Sequence, residues 1–396
     1  MWYNISISPL GGRLIVFSQL YCTINREEIF CFGNKKCRIY TVFSVSQTPN
    51  KVIAKRGENM HINMLNEATP IKPYLYNGYL EAILFQHKDY KEWLYSNYIQ
   101  LVYYNEYDRS IYLDYEVPTI YGGCPLLRYS KVEIKEKNEF FYYIKELIKD
   151  GKYIYIFLDE YYVPTRLAYH KEHYIHDQLI YGIDEEKEIF IIIGYDENHN
   201  FVTSEISFEE CYQGYMQTDD NWYLAFLTMT DEEYKMDINK IKIMFEDYLY
   251  SRNSKEHWEQ YMDLSDYRSE FYDTRNNVDS SYGIGIYEAL TKGIYHCMEE
   301  DIEIDYRIAY LICEHHSLMK DRILYYIDKK ILPNDKDLIS AIDDLIDMTK
   351  QMMHACFKSI YAKDRMSIYK RLITNIQSIK EKDQMIVSTI LERLGA

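Results

Sequence analysis

The side chains whose types and spacing could do chemistry gather most densely between His170 and Asp177. His170, His173 and His176 recur every third residue, and Asp177 follows the last of them. Just beyond lie two apolar runs, Asp177–Ile183 and Glu188–Gly194, joined by the charged link Asp184–Lys187. That pattern predicts a β-hairpin. If Asp184 faces Lys187 or Glu188, counting back along both strands sets His176 opposite, or one residue from opposite, Asp196. Directly opposed side chains share a face, with Cβ atoms about 4.5–5.5 Å apart. A carboxylate there fixes the imidazole tautomer, orients the ring and stabilises the imidazolium. A register slip of one residue moves Asp196 to the other face and removes the pairing.

An imidazole oriented in this way serves acyl transfer when it has a nucleophile to activate. A thiol is the natural choice, because a neighbouring imidazole or a helix N-terminus favours the thiolate. Cys22 is the candidate by its position before the core strands. Cys31, Cys37 and Cys124 are others, and Ser6 is a remote one; none stands at an evident helix start.

Blander readings compete. His176 could be a satisfied histidine at a strand end, and Asp196, within Gly194-Tyr195-Asp196-Glu197-Asn198, a turn former. Three imidazoles can also hold zinc with an open fourth position. Spacing of three puts His170 and His173 on a similar helical face but not strictly His176, and the segment reads as a loop entering a strand. His315-His316, after Glu314, reads as the polar face of a helix. Asp159-Glu160 is a poor acid/base dyad, because adjacent residues on a strand point to opposite faces. Lys363, Arg365, Lys370, Arg371, Lys380 and Lys382 read as a solvated face of the last helix, or as a docking patch for an acidic partner. The chain has no glycine-rich phosphate loop, no G-x-S-x-G elbow and no H-E-x-x-H.

The elements that must position these residues fall into two textures. Up to about Thr230, short apolar runs alternate with Gly and Pro. Beyond Asp231 the apolar spacing is helical, and Pro333 is the only proline. In the first texture, Phe140, Phe141, Ile144, Leu147 and Ile148 predict a helix ended by Gly151. Lys152–Leu158 reads as a buried strand and Phe201–Ile206 as another, with Ser207 and Glu210 forming a capping box on a short helix. In the second, helices are expected near Ile238–Tyr250, Tyr282–Glu299, Tyr306–Lys329, Asp335–Ala362 and Asp364–Leu394.

Composition bounds the function. At about 100–200 residues per domain, 396 residues suggest two domains. A 47% hydrophobic content is enough for a sizeable core. The net charge of −17 opposes generic binding to nucleic acid or to an anionic membrane. Eight cysteines without a C-x-x-C pair read as reduced thiols. Met1–Cys22 lacks a signal-peptide pattern and Ile189–Gly194 is too short to cross a bilayer, so the cytoplasm is the expected compartment. The 44 tyrosines are scattered, as an AT-rich coding sequence would leave them.

The run Asp159-Glu160-Tyr161-Tyr162-Val163-Pro164, then Tyr169, His173 and His176-Asp177-Gln178-Leu179-Ile180-Tyr181-Gly182-Ile183-Asp184, resembles the core of the butirosin biosynthesis protein H N-terminal family. Tyr282-Gly283-Ile284 and Glu314-His315-His316-Ser317-Leu318-Met319-Lys320-Asp321-Arg322 resemble the helical region that accompanies this core in proteins encoded near nonribosomal peptide clusters. The resemblance implies an α+β fold. A papain-like cysteine-peptidase-type core with an antiparallel sheet would occupy residues 1–230, and an all-α helical bundle residues 231–396. It implies amide formation on an acyl or peptidyl carrier-protein thioester, with a small-molecule amine or peptide as acceptor. No cofactor is implied beyond phosphopantetheine as part of the carried substrate. His176 matches the catalytic histidine, and Asp196 matches the orienting acid more loosely. The departure is at the start. Family members carry a Trp-Asn-Cys-like stretch opening a helix, followed by an Ile-Phe-x-Phe-Gly-like motif. This chain has Trp2-Tyr3-Asn4-Ile5-Ser6 and Ile29-Phe30-Cys31-Phe32-Gly33. Ile5 stands where the nucleophile is expected, and Pro9, Gly11 and Gly12 weaken the following helix. Either another residue supplies the thiol, or the N-terminus is atypical, or the chain is a non-catalytic member that binds a carrier protein as a scaffold.

Overall fold

A computed structural model describes residues 61–63, 74–105, 113–116, 124–198, 200–218, 223–254 and 279–395. In chain order the first elements are β1 (His61–Asn63), α1 (Leu75–Leu84), α2 (Tyr90–Asn97), β2 (Leu101–Tyr104), β3 (Leu113–Tyr115), β4 (Leu127–Glu133) and α3 (Lys137–Lys149). Then come β5 (Tyr153–Asp159), a 3₁₀ turn (Glu160–Tyr162), β6 (Ile175–Asp184), β7 (Ile189–Tyr195), β8 (Phe201–Ser207), α4 (Phe208–Tyr215) and β9 (Tyr223–Met229). The remainder is α5 (Ile238–Leu249), the short strand β10 (Ser280–Tyr282), α6 (Ile286–Glu299), α7 (Tyr306–Asp328), α8 (Lys336–Tyr361) and α9 (Arg365–Gly395). The architecture is α+β, with antiparallel sheets and a C-terminal helical region.

The larger sheet runs β4-β9-β5-β6-β7-β8, with β1 also paired to β6, and every pairing is antiparallel. Its strands β5 and β7 are apolar at nearly every position because both faces are covered. On β5, Ile154, Ile156 and Leu158 enter one core with Phe140, Ile144 and Ile148 of α3. Tyr153 and Tyr155 enter the other core, which they share with the helices of the C-terminal region. β7 divides the same way, Phe190 and Ile192 to the first core and Ile191 and Ile193 to the second.

Local signals end these elements as the sequence implies. Gly151 follows α3 at φ 75°, a left-handed conformation that glycine adopts without Cβ strain. Ser207 accepts from the Glu210 amide, and the Glu210 carboxylate accepts from the Ser207 amide, closing the capping box of α4. Asp237, Asp305 and Asp335 cap α5, α7 and α8 with their carboxylates.

The helical region does not stand apart from the first 230 residues. β10 pairs with β2, and β2 with β3, in a second small sheet. Arg322 of α7 is fully buried and donates to the carbonyls of Tyr95 and Tyr98 at the end of α2. Residues on both sides of position 230 therefore share one core. Tyrosine fills much of the interior: Tyr79, Tyr98, Tyr115, Tyr181, Tyr215, Tyr248, Tyr287, Tyr326 and Tyr369 are among the largest fully buried side chains. Their abundance has a structural role in addition to any compositional origin. Among the described residues, no helix is long and apolar enough to cross a membrane.

Candidate functional site

His176 is the second residue of β6, where the chain enters the strand as expected, but its partner comes from the β5 side. β5 and β6 pair as far as Leu158 opposite His176 and Asp159 opposite Ile175. The chain then tightens into the 3₁₀ turn, where the Glu160 amide donates to the Tyr174 carbonyl at 2.8 Å. This carries the Glu160 carboxylate back over β6. His176 Nδ1 donates to Glu160 Oε1 at 3.0 Å, and Gln178 Nε2 donates to the same oxygen at 3.1 Å. His176 and Gln178 alternate along the strand and so present side chains to one face.

Asp177 stands beside the opposite nitrogen, its Oδ1 3.5 Å from His176 Nε2. Tyr155 donates its hydroxyl to Asp177 Oδ2 at 3.1 Å, and Tyr79 of α1 donates to the Asp177 carbonyl at 3.0 Å. Burial alone would push the His176 pKa down. The Glu160 hydrogen bond and the Asp177 charge outweigh burial and Arg166, and raise it above the ordinary histidine value. For Asp177, burial dominates and pushes the carboxyl up, despite His176 and Tyr155. The His176 side chain keeps 35% of its surface exposed, whereas Glu160 keeps 9%. The arrangement is a partly exposed imidazole with a buried carboxylate on its Nδ1.

Asp196 does not join this pair. The β6–β7 register runs from Asp184 opposite Ile189 to Leu179 opposite Ile193, shifting between Ile180 and Gly182. Extended further, it would indeed number His176 across from Asp196. The pairing stops first, and the chain turns, with the Asp196 amide donating to the Asn200 carbonyl at 2.9 Å. The Asp196 carboxylate accepts from the amides of Asn198 and Asn200 and from the Asn200 side chain. Burial raises its pKa, and the Asn200 and Asn198 bonds bring it below the ordinary value. The carboxylate within hydrogen-bond reach of His176 is therefore that of Glu160, not the expected Asp196, whose carboxylate closes its own turn. Adjacent carboxylates do diverge, as expected of a strand end, but each meets its own histidine.

The second of these contacts is His173 with Asp159. His173 Nδ1 lies 2.6 Å from Asp159 Oδ2, while Asp159 Oδ1 accepts the amides of Tyr161 and Tyr174. The His173 ring stacks on Tyr161 with centroids 4.5 Å apart. His170, at φ 53°, lies against Tyr169 and Tyr161. The three histidines of the triplet therefore turn to three different sets of neighbours, and among the described residues no group of three or more His, Cys, Asp or Glu could hold a metal ion.

Cys22, together with Cys31, Cys37 and Ser6, lies outside the described residues. Cys124 is buried in the larger core, and burial pushes its thiol up to about 12 despite the Leu126 and Leu127 amides. That is the reverse of an activated thiol.

His315 and His316 do not form a polar helix face. Both are fully buried where α5, α6, α7 and α9 meet. The lysine and arginine cluster near the C-terminus is partly tied to neighbouring elements: Arg365 to Asp301, Lys380 to Glu288 at 2.6 Å, and Lys382 to Asp344 at 2.7 Å.

Glu160 is the His176 partner that strand counting missed. Its signal was present, since a carboxylate at the end of the strand before the His176 strand can reach a residue near that strand's start. No protein-family model matches this chain, and no curated protein matches it.

Proposed function

We propose that His176 is the acid–base centre of a papain-like acyl-transfer site, with Glu160 as its orienting acid and a cysteine thiol, Cys22 first among the candidates, as its nucleophile. The observation that carries this reading is the hydrogen bond from His176 Nδ1 to the buried Glu160 carboxylate, made by an imidazole that keeps 35% of its side-chain surface exposed. A carboxylate on Nδ1 sets the tautomer in which Nε2 can take a proton. His176 Nε2 accepts the thiol proton, and the thiolate attacks a thioester carbonyl presented by an acyl or peptidyl carrier protein. The tetrahedral intermediate expels the carrier thiol, which receives that proton, and an acyl-cysteine remains. A small-molecule amine or peptide amine then attacks, the amide forms, and the cysteine is released. Phosphopantetheine enters only as the arm of the carried substrate, and the expected setting is peptide-type secondary metabolism in the cytoplasm.

A second reading is favoured by Asp177, whose carboxylate lies beside Nε2 where the thiol would approach, and by Ile5 in the family's nucleophile position. In that reading the chain keeps the fold and binds a carrier protein as a scaffold. Mass-spectrometric mapping of iodoacetamide labelling at pH 6 separates the two. The enzyme reading expects one of Cys22, Cys31 or Cys37 to label well ahead of the other cysteines, and that lead to vanish in His176→Gln. Uniformly slow labelling in both proteins rejects the covalent mechanism and leaves the scaffold.

A further inference from the structure

Behind His176 and Glu160 lies a layer of side chains that the acyl-transfer chemistry does not itself use. Gln178 is fully buried, and its amide is held at both ends. Its Oε1 accepts from Arg166 Nη2 at 2.8 Å and from Arg166 Nε at 3.2 Å. Its Nε2 donates to Glu160 Oε1, the oxygen that also receives His176 Nδ1. Arg166 is only 3% exposed. Its remaining head-group contacts are long ones, to Thr165 Oγ1 at 3.3 Å and Ser204 Oγ at 3.4 Å. No carboxylate hydrogen-bonds to it among the described residues. The guanidinium instead lies against Gly194, where a Cβ would come within 2.6 Å of Nη2 and 3.2 Å of Gln178 Oε1. Only a residue without Cβ lets the head group sit there.

Burying a guanidinium without a carboxylate partner is unfavourable, and an apolar side chain would fill such a site at lower cost. What the guanidinium does that an apolar residue cannot is fix the amide's direction. A free glutamine amide can turn end for end. With two N–H donors on Oε1, Nε2 must face Glu160. The carboxylate then receives two donors on one oxygen and is kept over β6.

We infer that Arg166, acting through Gln178 and seated on Gly194, is a positioning residue that holds the Glu160 carboxylate against His176. The inference rests on reading His176 and Glu160 as an acid–base pair, and not on thiol chemistry.

The test is the His176 titration, followed by NMR on protein with labelled histidine side chains. The charged groups that bear on the ring are Glu160, Asp177 and Arg166. Loss of the Arg166 charge alone relieves a repulsion and raises the His176 pKa, whereas loss of positioning lowers it. The informative variants therefore leave all charges in place: Gly194→Ala, Gln178→Leu and Arg166→Lys. Each is expected to lower the His176 pKa by about half a unit, a roughly threefold change in proton affinity. Glu160→Gln is expected to lower it by about one unit or more. A folded Gly194→Ala or Arg166→Lys protein whose His176 titrates as in the unaltered chain overturns the positioning role. An unchanged titration in Glu160→Gln instead overturns the acid–base pair itself. A measurement on the unaltered protein covers variants that do not fold. The Gln178 side-chain amide and the Arg166 Nε–H should be slow to exchange with solvent at neutral pH, and fast exchange of both overturns the inference.

Discussion

Two histidine sites of this protein have opposite surroundings. In the sheet, His176 sits among groups that are almost all partnered, and the balance favours its charged form. In the helical region, His315 is stacked on Tyr248 with Tyr115 tilted against it, and neither ring nitrogen has a hydrogen-bond partner among the described residues. Burial, then the neighbouring His316, push its pKa well below the ordinary histidine value, although Asp383 acts the other way. His316 beside it is held by Asp383 and Tyr287: Nε2 is 3.4 Å from Asp383 Oδ2 and 3.2 Å from the Tyr287 hydroxyl. Tyr248 and Tyr287 both donate to the same Asp383 oxygen, at 2.7 and 2.8 Å. An imidazole that exchanges protons needs water nearby and a carboxylate behind it; His176 has both, whereas His315 and His316 are fully buried. The helical cluster joins four helices through one carboxylate.

The largest expected effect breaks that junction. Asp383→Leu removes the acceptor shared by Tyr248, Tyr287 and His316, leaving three buried polar groups to find other partners. A loss of about 3–5 kcal/mol is expected in urea unfolding, the scale for removing one member of a buried pair. A loss under about 1 kcal/mol would mean the cluster is looser than its distances suggest.

His315 sharpens the contrast through pH. Its folded-state pKa is depressed below the unfolded value of about 6.5, so the unfolded chain binds the extra proton first. Its contribution to stability is therefore lost as pH falls below about 6.5, by up to about 1.4 kcal/mol per pH unit. His176 has the opposite sign. Its raised pKa contributes stability that is fully present below about pH 6.5 and lost as pH rises through the folded value. His315→Phe keeps a ring against the two tyrosines and removes two unpartnered nitrogens. It is expected to flatten the acid limb of stability between pH 7 and 5 and to add about 1 kcal/mol or more at neutral pH. An acid limb unchanged in His315→Phe would place the sensitivity elsewhere.

How far the sequence revealed these two sites follows from the range of the interactions. The β6–β7 hairpin, the α4 capping box and the helices of the second half are set by neighbours a few residues apart, and periodicity and turn chemistry find them. Strand counting even numbered His176 across from Asp196, because the shift at Gly182 restores the count. It misplaced the partner because the His176 end of β6 pairs with β5, and only the hairpin neighbour was counted. The choice between β5 and β7 is made by where each pairing ends, and that depends on the turns at Glu160 and Asp196. The small sheet stayed hidden for a stronger reason. β2 has four residues and β10 three, and they are contiguous only after the chain folds. The His315–Asp383 cluster is of the same kind: Glu314-His315-His316 reads as polar on one helix, and only the packing of α5, α6 and α9 makes it interior.

The smallest expected effect bears most directly on which carboxylate serves His176. Asp196→Asn keeps the shape of the Asn198–Asn200 turn while removing a charge. Because the Asp196 bonds all close within that turn, the His176 titration is expected to stay within about 0.2 units of the unaltered chain, well inside the ordinary scatter of such values. Stability at neutral pH should fall by only a few tenths of a kcal/mol, since a partly exposed carboxylate is screened by solvent. The loss should itself disappear with acid. Asp196 has a depressed folded pKa, so its contribution is present above about pH 3.9 and fades as pH falls through the folded value. If Asp196→Asn instead moved the His176 titration as far as Glu160→Gln, the two carboxylates would share the imidazole. The strand count that paired His176 with Asp196 would then describe the protein in solution better than the β5 contact does.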